Sequence, residues 1–392
     1  MAVRSSSVLV DWAGPPPGRD VPALKARVPP AVGTGDTAKS FGGVPTFRSA
    51  LGQRDNALNF VRLVLASAVI FGHAWPIGGF SSSAFSWLGE WAVCGFFAIS
   101  GYLIAGSRMR LPLGTFLVHR TLRIYPAFWV CLVVVALVLA PLSTLLTRES
   151  YVFSSGLSYI WKNFSLFVTQ YGIQETLMSV PFPGTWNAPL WTLKYEFAAY
   201  LAAGLVLTVP FARRKPITTT AVLLATVTLG YVLSADYFGI TTDLVVNGSR
   251  LGTFFLAGML LYFLGDRLRL NWTVFLTAVS VLAGAVILGL DSWLGPVPFA
   301  FIVLWVGAKL PVRIGARNDM SYGVYIWAWP VQQYLAIIDT SAMGPWLSGA
   351  LALALTLPLA WCSWRLIEKP CMGLRKVMRK VQAPQARPSP VP

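Results

Sequence analysis

Charge is what this sequence has least of. Only 12% of its 392 residues are Asp, Glu, Lys or Arg, about half the share in a soluble domain. Acids are the scarcer sign, 15 against 31 bases, and histidine occurs twice. The four cysteines are Cys94, Cys131, Cys362 and Cys371. Three lie inside apolar runs and none pair at metal-ligand spacing, so neither a disulfide framework nor a zinc or other metal site is implied. The dyad alternation of a membrane β-barrel is missing. Residues 1–54 lack the apolar stretch of a secretory signal. They are broken by Pro15-Pro16-Pro17 and Pro29-Pro30, and are expected to form a disordered cytoplasmic tail.

What is present is long apolar runs, which make the chain 55% hydrophobic. In hydrocarbon every backbone polar group must be satisfied internally, so such runs are helices. The fold class expected is all-α: a polytopic membrane bundle of about ten helices. They fall near 57–75, 87–105, 124–146, 188–211, 217–235, 250–265, 272–290, 294–310, 320–338 and 346–368. The transmembrane domain then covers 55–370, and 371–392 is a basic, proline-rich second tail. The net charge of +16 sits between the runs and at the two ends. That suits a cytoplasmic membrane surface and not a nucleic acid. With both termini inside, the inner loops hold Arg108, Arg110, Arg120, Arg123, Arg213, Arg214, Lys215, Arg267, Arg269, Lys309, Arg313 and Arg317. The outer loops hold Glu90, Arg148, Glu149, Lys162, Glu175, Asp236, Asp243, Asp291 and Asp339. The sign alternates loop by loop. The longest outer loop, 147–188, is aromatic and serine-rich, and could lie at the interface or dip back into the membrane.

Ionisable groups inside spans are costly and are functional candidates. Arg62 and His73 share the first helix, eleven steps apart, so both face one way with about 16 Å between them. Snorkelling of Arg62 and end-capping by His73 are the plainer alternatives. Glu196, early in the fourth helix, is expected in the outer half, where it could meet His73 and raise its basicity. The alternative is a pair with Lys194. Arg120 and Arg123 lie on one helical face, suited to bidentate phosphate contacts or to ordinary membrane anchoring, with His119 in the same cluster. Gly95 to Ile104 brings small residues mid-span, where helices can approach closely. Ser321 to Pro330 combines aromatics with a proline that frees a carbonyl.

Six runs, in order, resemble the acyltransferase-3 family of integral membrane O-acyltransferases. They are Arg62 with His73; Phe96 to Ile104; Arg120, Arg123 and Pro126; Leu190 to Glu196; Ser321 to Trp327; and Glu368 with Pro370. One position departs: many members carry His where this chain has Ala328. The resemblance implies transfer of an acyl group, commonly acetyl, from cytoplasmic acyl-CoA to a hydroxyl of a carbohydrate, polysaccharide or glycolipid. It implies a multi-pass protein of a bacterial inner membrane, in contact with membrane lipids and with no bound cofactor. His73, Arg62 and Glu196 would be catalytic, with His73 as general base. Arg120 and Arg123 would contact CoA phosphates, and Ser100, Trp191, Tyr325 and Trp327 would line the substrate path. A transporter or flippase is the rival class, though no internal repeat supports it; a bare scaffold is the third.

Overall fold

The computed structural model describes residues 45–52, 56–80, 85–234, 239–240, 242–315 and 318–382, with side chains up to 375. Most of the expected N-terminal tail, the last ten residues, Asp236 and Arg317 lie outside the described residues. Within them the regular secondary structure is helical. Its one extended pairing is an isolated bridge between Thr46 and Arg269.

A short helix α1 (Phe47–Leu51), with Thr46 accepting from the Ser49 N–H at its start, falls inside the stretch expected to be tail. Phe47 is buried there, and its N–H bonds Leu268 O. Then follow α2 (Leu58–Ile77), α3 (Trp87–Arg110) and α4 (Leu113–Val134). A π turn, Val135–Leu139, joins α4 to α5 (Ala140–Thr147) without a break. Next come α6 (Phe153–Asn163), a 3-10 turn Ala188–Thr192, α7 (Leu193–Val206), α8 (Pro210–Arg214) and α9 (Pro216–Val232). The remainder is α10 (Asp243–Phe263), α11 (Trp272–Ile287), α12 (Asp291–Leu294), α13 (Pro296–Lys309), α14 (Ser321–Ile337), α15 (Gly344–Ser363) and α16 (Lys369–Gln382), the last two joined by a π turn.

Among the described residues, five helical stretches are long and apolar enough to cross a membrane: Leu58–Ile77, Trp87–Arg110, Leu113–Thr147, Asp243–Phe263 and Ser341–Arg375. Pro216–Val232, Trp272–Ile287 and Pro296–Lys309 are apolar but shorter. The predicted span 188–211 contains only fourteen α-helical residues in α7, about 21 Å of rise. Its first part is a 3-10 turn.

The small residues of α3 do what their size allows. A Cβ on Gly101 would lie 1.9 Å from Phe255 O, and one on Gly258 would lie 1.9 Å from Ala98 O. The backbones of α3 and α10 therefore touch, each glycine facing the other helix's carbonyl. Proline and its partner explain a second junction. Pro330 has no N–H for the carbonyl of Ile326. Asn187 Nδ2 donates to that carbonyl at 2.8 Å, while Thr185 O accepts from Trp329 Nε1 and Gln333 Nε2. The segment before α7 is thus clamped onto α14. Glu149 holds the start of the same loop by accepting the N–H groups of Leu177, Met178 and Ser179. Partial burial would raise its carboxyl, but the bonds from Ser179, Met178 and Thr147 outweigh that and hold it below the ordinary value.

Candidate active site

Five helices bring their polar residues to one cavity of about 80 Å³. Arg62 comes from α2, Ser100 from α3, Arg120 and Arg123 from α4, Glu196 and Tyr200 from α7, and Ser321, Tyr322 and Tyr325 from α14. Of the expected ionisable site residues, Arg62, Arg120, Arg123 and Glu196 therefore do converge, from three helices.

The two arginines of α4 have different fates. Arg123 is neutralised twice, by Asp319 and by Glu368, at 2.6 Å each. Asp319 also pairs with Arg62 at 2.6 Å and accepts from Ser321 Oγ at 2.7 Å. Burial alone would raise the Asp319 carboxyl, but the Arg62 and Arg123 guanidiniums and the Ser321 bonds bring it down to about 2. Glu368 is 1% exposed and also accepts from Ser363 Oγ. Arg62, Arg123, Asp319 and Glu368 form a closed, charge-balanced group, which is how buried ions persist.

Among the described residues Arg120 has no carboxylate in salt-bridge reach. Its Nη2 donates to Ser107 Oγ at 2.9 Å, and its guanidinium stands over Phe116 and Tyr200 at 5.5 and 5.9 Å. Its Nε is buried with no acceptor. A buried donor without a partner is costly, and this one belongs to a residue that lines the cavity. Sequence spacing treated the pair as equivalent; the carboxylates separate them. Asp319 was missed, because nothing in a basic inter-helix stretch marks its one acid as a double acceptor. Tyr200 and Ser107 were missed too, since neither residue type is costly enough to stand out.

Glu196 is taken by two hydroxyls. Ser100 Oγ donates to its Oε1 at 3.2 Å, and Tyr200 Oη makes a short bond to the same oxygen. The pairing with Lys194 is not made, for Lys194 binds Asp243 at 3.2 Å. Nor does Glu196 meet His73. The expected depth assumed a helix that starts at the outer end of the bundle. Instead α7 begins inside it, so a residue one turn in stands level with the arginines. His73 lies three turns beyond Arg62 on α2, about 16 Å away. It does not line this cavity; its ring stands edge-on to Trp329, with centroids 4.9 Å apart.

Tyr325 Oη bonds Thr192 Oγ1 and Pro189 O, both at 2.6 Å, which ties α14 to the turn that starts α7. Trp191 packs edge-on against Tyr195 and is not at the cavity wall. Trp327 is buried, away from the wall, with its Nε1 unpartnered. Ala328 belongs to an apolar cluster with Ala66, Ile70 and Val324, so that position faces the helix that carries Arg62 and His73. His119 lends its carbonyl to Arg375 Nη2 at 2.7 Å. Among the described residues no group of three or more His, Cys, Asp and Glu could hold a metal ion.

A family model described as an acyltransferase domain matches residues 55–365. Nodulation protein 10 of Rhizobium leguminosarum bv. viciae is 29% identical over 374 residues, covering 84% of this chain and 96% of the relative. An O-acetyl transferase of Shigella phage Sf6 is 29% identical over 332 residues, covering 81% and 96%. No solved structure matches.

Proposed function

Because this chain belongs to the acyltransferase-3 family and is an acyltransferase, we propose that it moves an acetyl group from cytoplasmic acetyl-CoA to a hydroxyl of a carbohydrate, polysaccharide or glycolipid at the far side of a bacterial inner membrane. The observation that carries this is Arg120: a buried guanidinium with no carboxylate and an unused N–H, set below His73 in one bundle. The name of the phage relative supports acetyl and oxygen as donor group and acceptor atom.

The charge alternation supports ten crossings with both tails inside. The arginine end then faces the cytoplasm, where CoA phosphates arrive. Arg120 receives them, as an always-charged fork matched to phosphate. Arg62 and Arg123 are spent on Asp319 and Glu368, and hold α2, α4, α14 and the α15–α16 junction in register around it. Glu196 fixes the Ser100 and Tyr200 hydroxyls at the wall. His73, about 16 Å further out, takes the proton of the acceptor hydroxyl. The oxygen attacks the acyl carbon, the C–S bond breaks, and CoA leaves as the thiol after regaining that proton.

Purified protein in lipid nanodiscs with labelled acetyl-CoA tests this. His73→Ala should abolish CoA release while the fold is kept. Arg120→Ala should raise the KM for acetyl-CoA at least tenfold. Unchanged turnover in His73→Ala sinks the reading of that residue as base.

A further inference from the structure

The loop between α5 and α7 does not stay outside the bundle. Depth along α4 can be read from cross-contacts. Tyr322 Oη donates to Ile124 O at 2.8 Å, and Asn187, bound to Ile326 O, lies 3.6 Å from Cys131 Sγ. Tyr334 Oη bonds Leu139 O. So α4 and α14 run side by side in one direction. The loop runs the other way: Tyr151 Oη donates to Ala136 O at 2.8 Å, whereas Phe164 O accepts from Trp129 Nε1 at 3.0 Å. Cys131, and with it Asn187, is about 12 Å along the helix from Arg123 and about 24 Å from Thr147. A hydrocarbon layer ~30 Å thick that starts at Arg123 ends near residue 143. The loop therefore descends well into that layer before α7 begins.

Helix α6 has three faces, read off at about 100° per residue. Phe153, Leu157 and Trp161 form one and are exposed, Trp161 at 78%. Gly156, Tyr159 and Asn163 form the second and are buried against α4 and the π turn. Ser154, Ser155, Ser158 and Lys162 form the third and line a groove of about 620 Å³, with Gln170 and Gln174 opposite. An ammonium at this depth is tolerated only beside water. Irregular backbone at this depth is tolerated only where it is buried or lines an aqueous cavity. Gly184 lines the groove, and Phe182, two residues before it, stands edge-on to Trp329, the ring that contacts His73.

We infer that residues 153–192 re-enter the membrane from the outer side and border an open, aqueous groove, lined by hydroxyls, amides, Lys162 and Glu175, that admits a polyhydroxylated sugar acceptor toward the acyl group. The exposed aromatic face of α6 meets lipid. The fourth crossing is completed by α7 as a half-helix. The acceptor class rests on the function proposed above; the re-entry does not.

Cysteine labelling in intact cells separates the two, in a Cys362→Ser, Cys371→Ser background. A membrane-impermeant sulfonate-bearing methanethiosulfonate added outside should modify Ser158→Cys and Gln174→Cys at least tenfold faster than Leu157→Cys. Equal rates at 157 and 158, or modification of 158 only after the membrane is opened, overturn the re-entry, and no turnover is needed to see either. Mass spectrometry of newly made surface glycans then reads the second half. Labelled Ser158→Cys should acetylate them at least fivefold less than unlabelled, and undiminished acetylation overturns the acceptor route. Absence of acetylation in every variant and in the parent would instead refute the proposed function and leave the re-entry standing.

Discussion

Replacing Asp319 by Asn tests the charge-balanced group directly. The change is nearly isosteric and removes one anion that two guanidiniums share at 2.6 Å each. Arg62 is then left with no carboxylate, and Arg123 keeps only Glu368. Removing one partner of a buried pair costs about 3–5 kcal/mol. The Asp319 side chain is 16% exposed, which places the loss at the lower end, about 3 kcal/mol, or more than a hundredfold in the folded-to-unfolded ratio. Titration with a denaturing detergent in mixed micelles, followed by tryptophan fluorescence, measures it. Adding Arg62→Gln to Asp319→Asn removes the orphaned cation and should restore about 1–3 kcal/mol. A loss below about 1 kcal/mol in Asp319→Asn, or no recovery in the double variant, would refute the assignment of Asp319 as the shared anion.

Acid should act through the same carboxyl. It is held at about 2 from an ordinary 3.8, so its contribution is complete above about pH 4 and is lost as pH falls through 2. The shift corresponds to roughly 2.5 kcal/mol, and Asp319→Asn should flatten the stability profile across that window. Gly101→Val and Gly258→Val each drive a side chain into a facing carbonyl and should cost more than the usual 1–3 kcal/mol of overpacking. Gly114→Ala and Gly230→Ala, with open space at the Cβ, serve as controls in a detergent thermal-stability assay. Asn187→Leu leaves Ile326 O with only the weak thiol donor of Cys131 at 3.4 Å and should cost about 1–3 kcal/mol; an effect under about 0.5 kcal/mol would show that the thiol alone satisfies the carbonyl.

The sequence by itself determined the helical class, because lipid leaves an apolar run no other way to satisfy its backbone. It also determined which residue types were too costly to be accidental, and Arg62, Arg120, Arg123 and Glu196 do share a cavity. Only the tertiary structure decided which arginine is unpaired, since Arg62 and Arg123 meet Asp319 across 257 and 196 residues of chain. No local period encodes such a pairing. The depth of Glu196 was equally out of reach. A count of apolar residues gives 188–211 the length of a crossing, yet α7 starts within the bundle because the preceding loop is pinned to α14 by Asn187, Gln333 and Tyr325. The sequence told that the chain is short of charge. Among the described residues, the fold pairs Arg62 and Arg123 with carboxylates and leaves Arg120, beside them, with none.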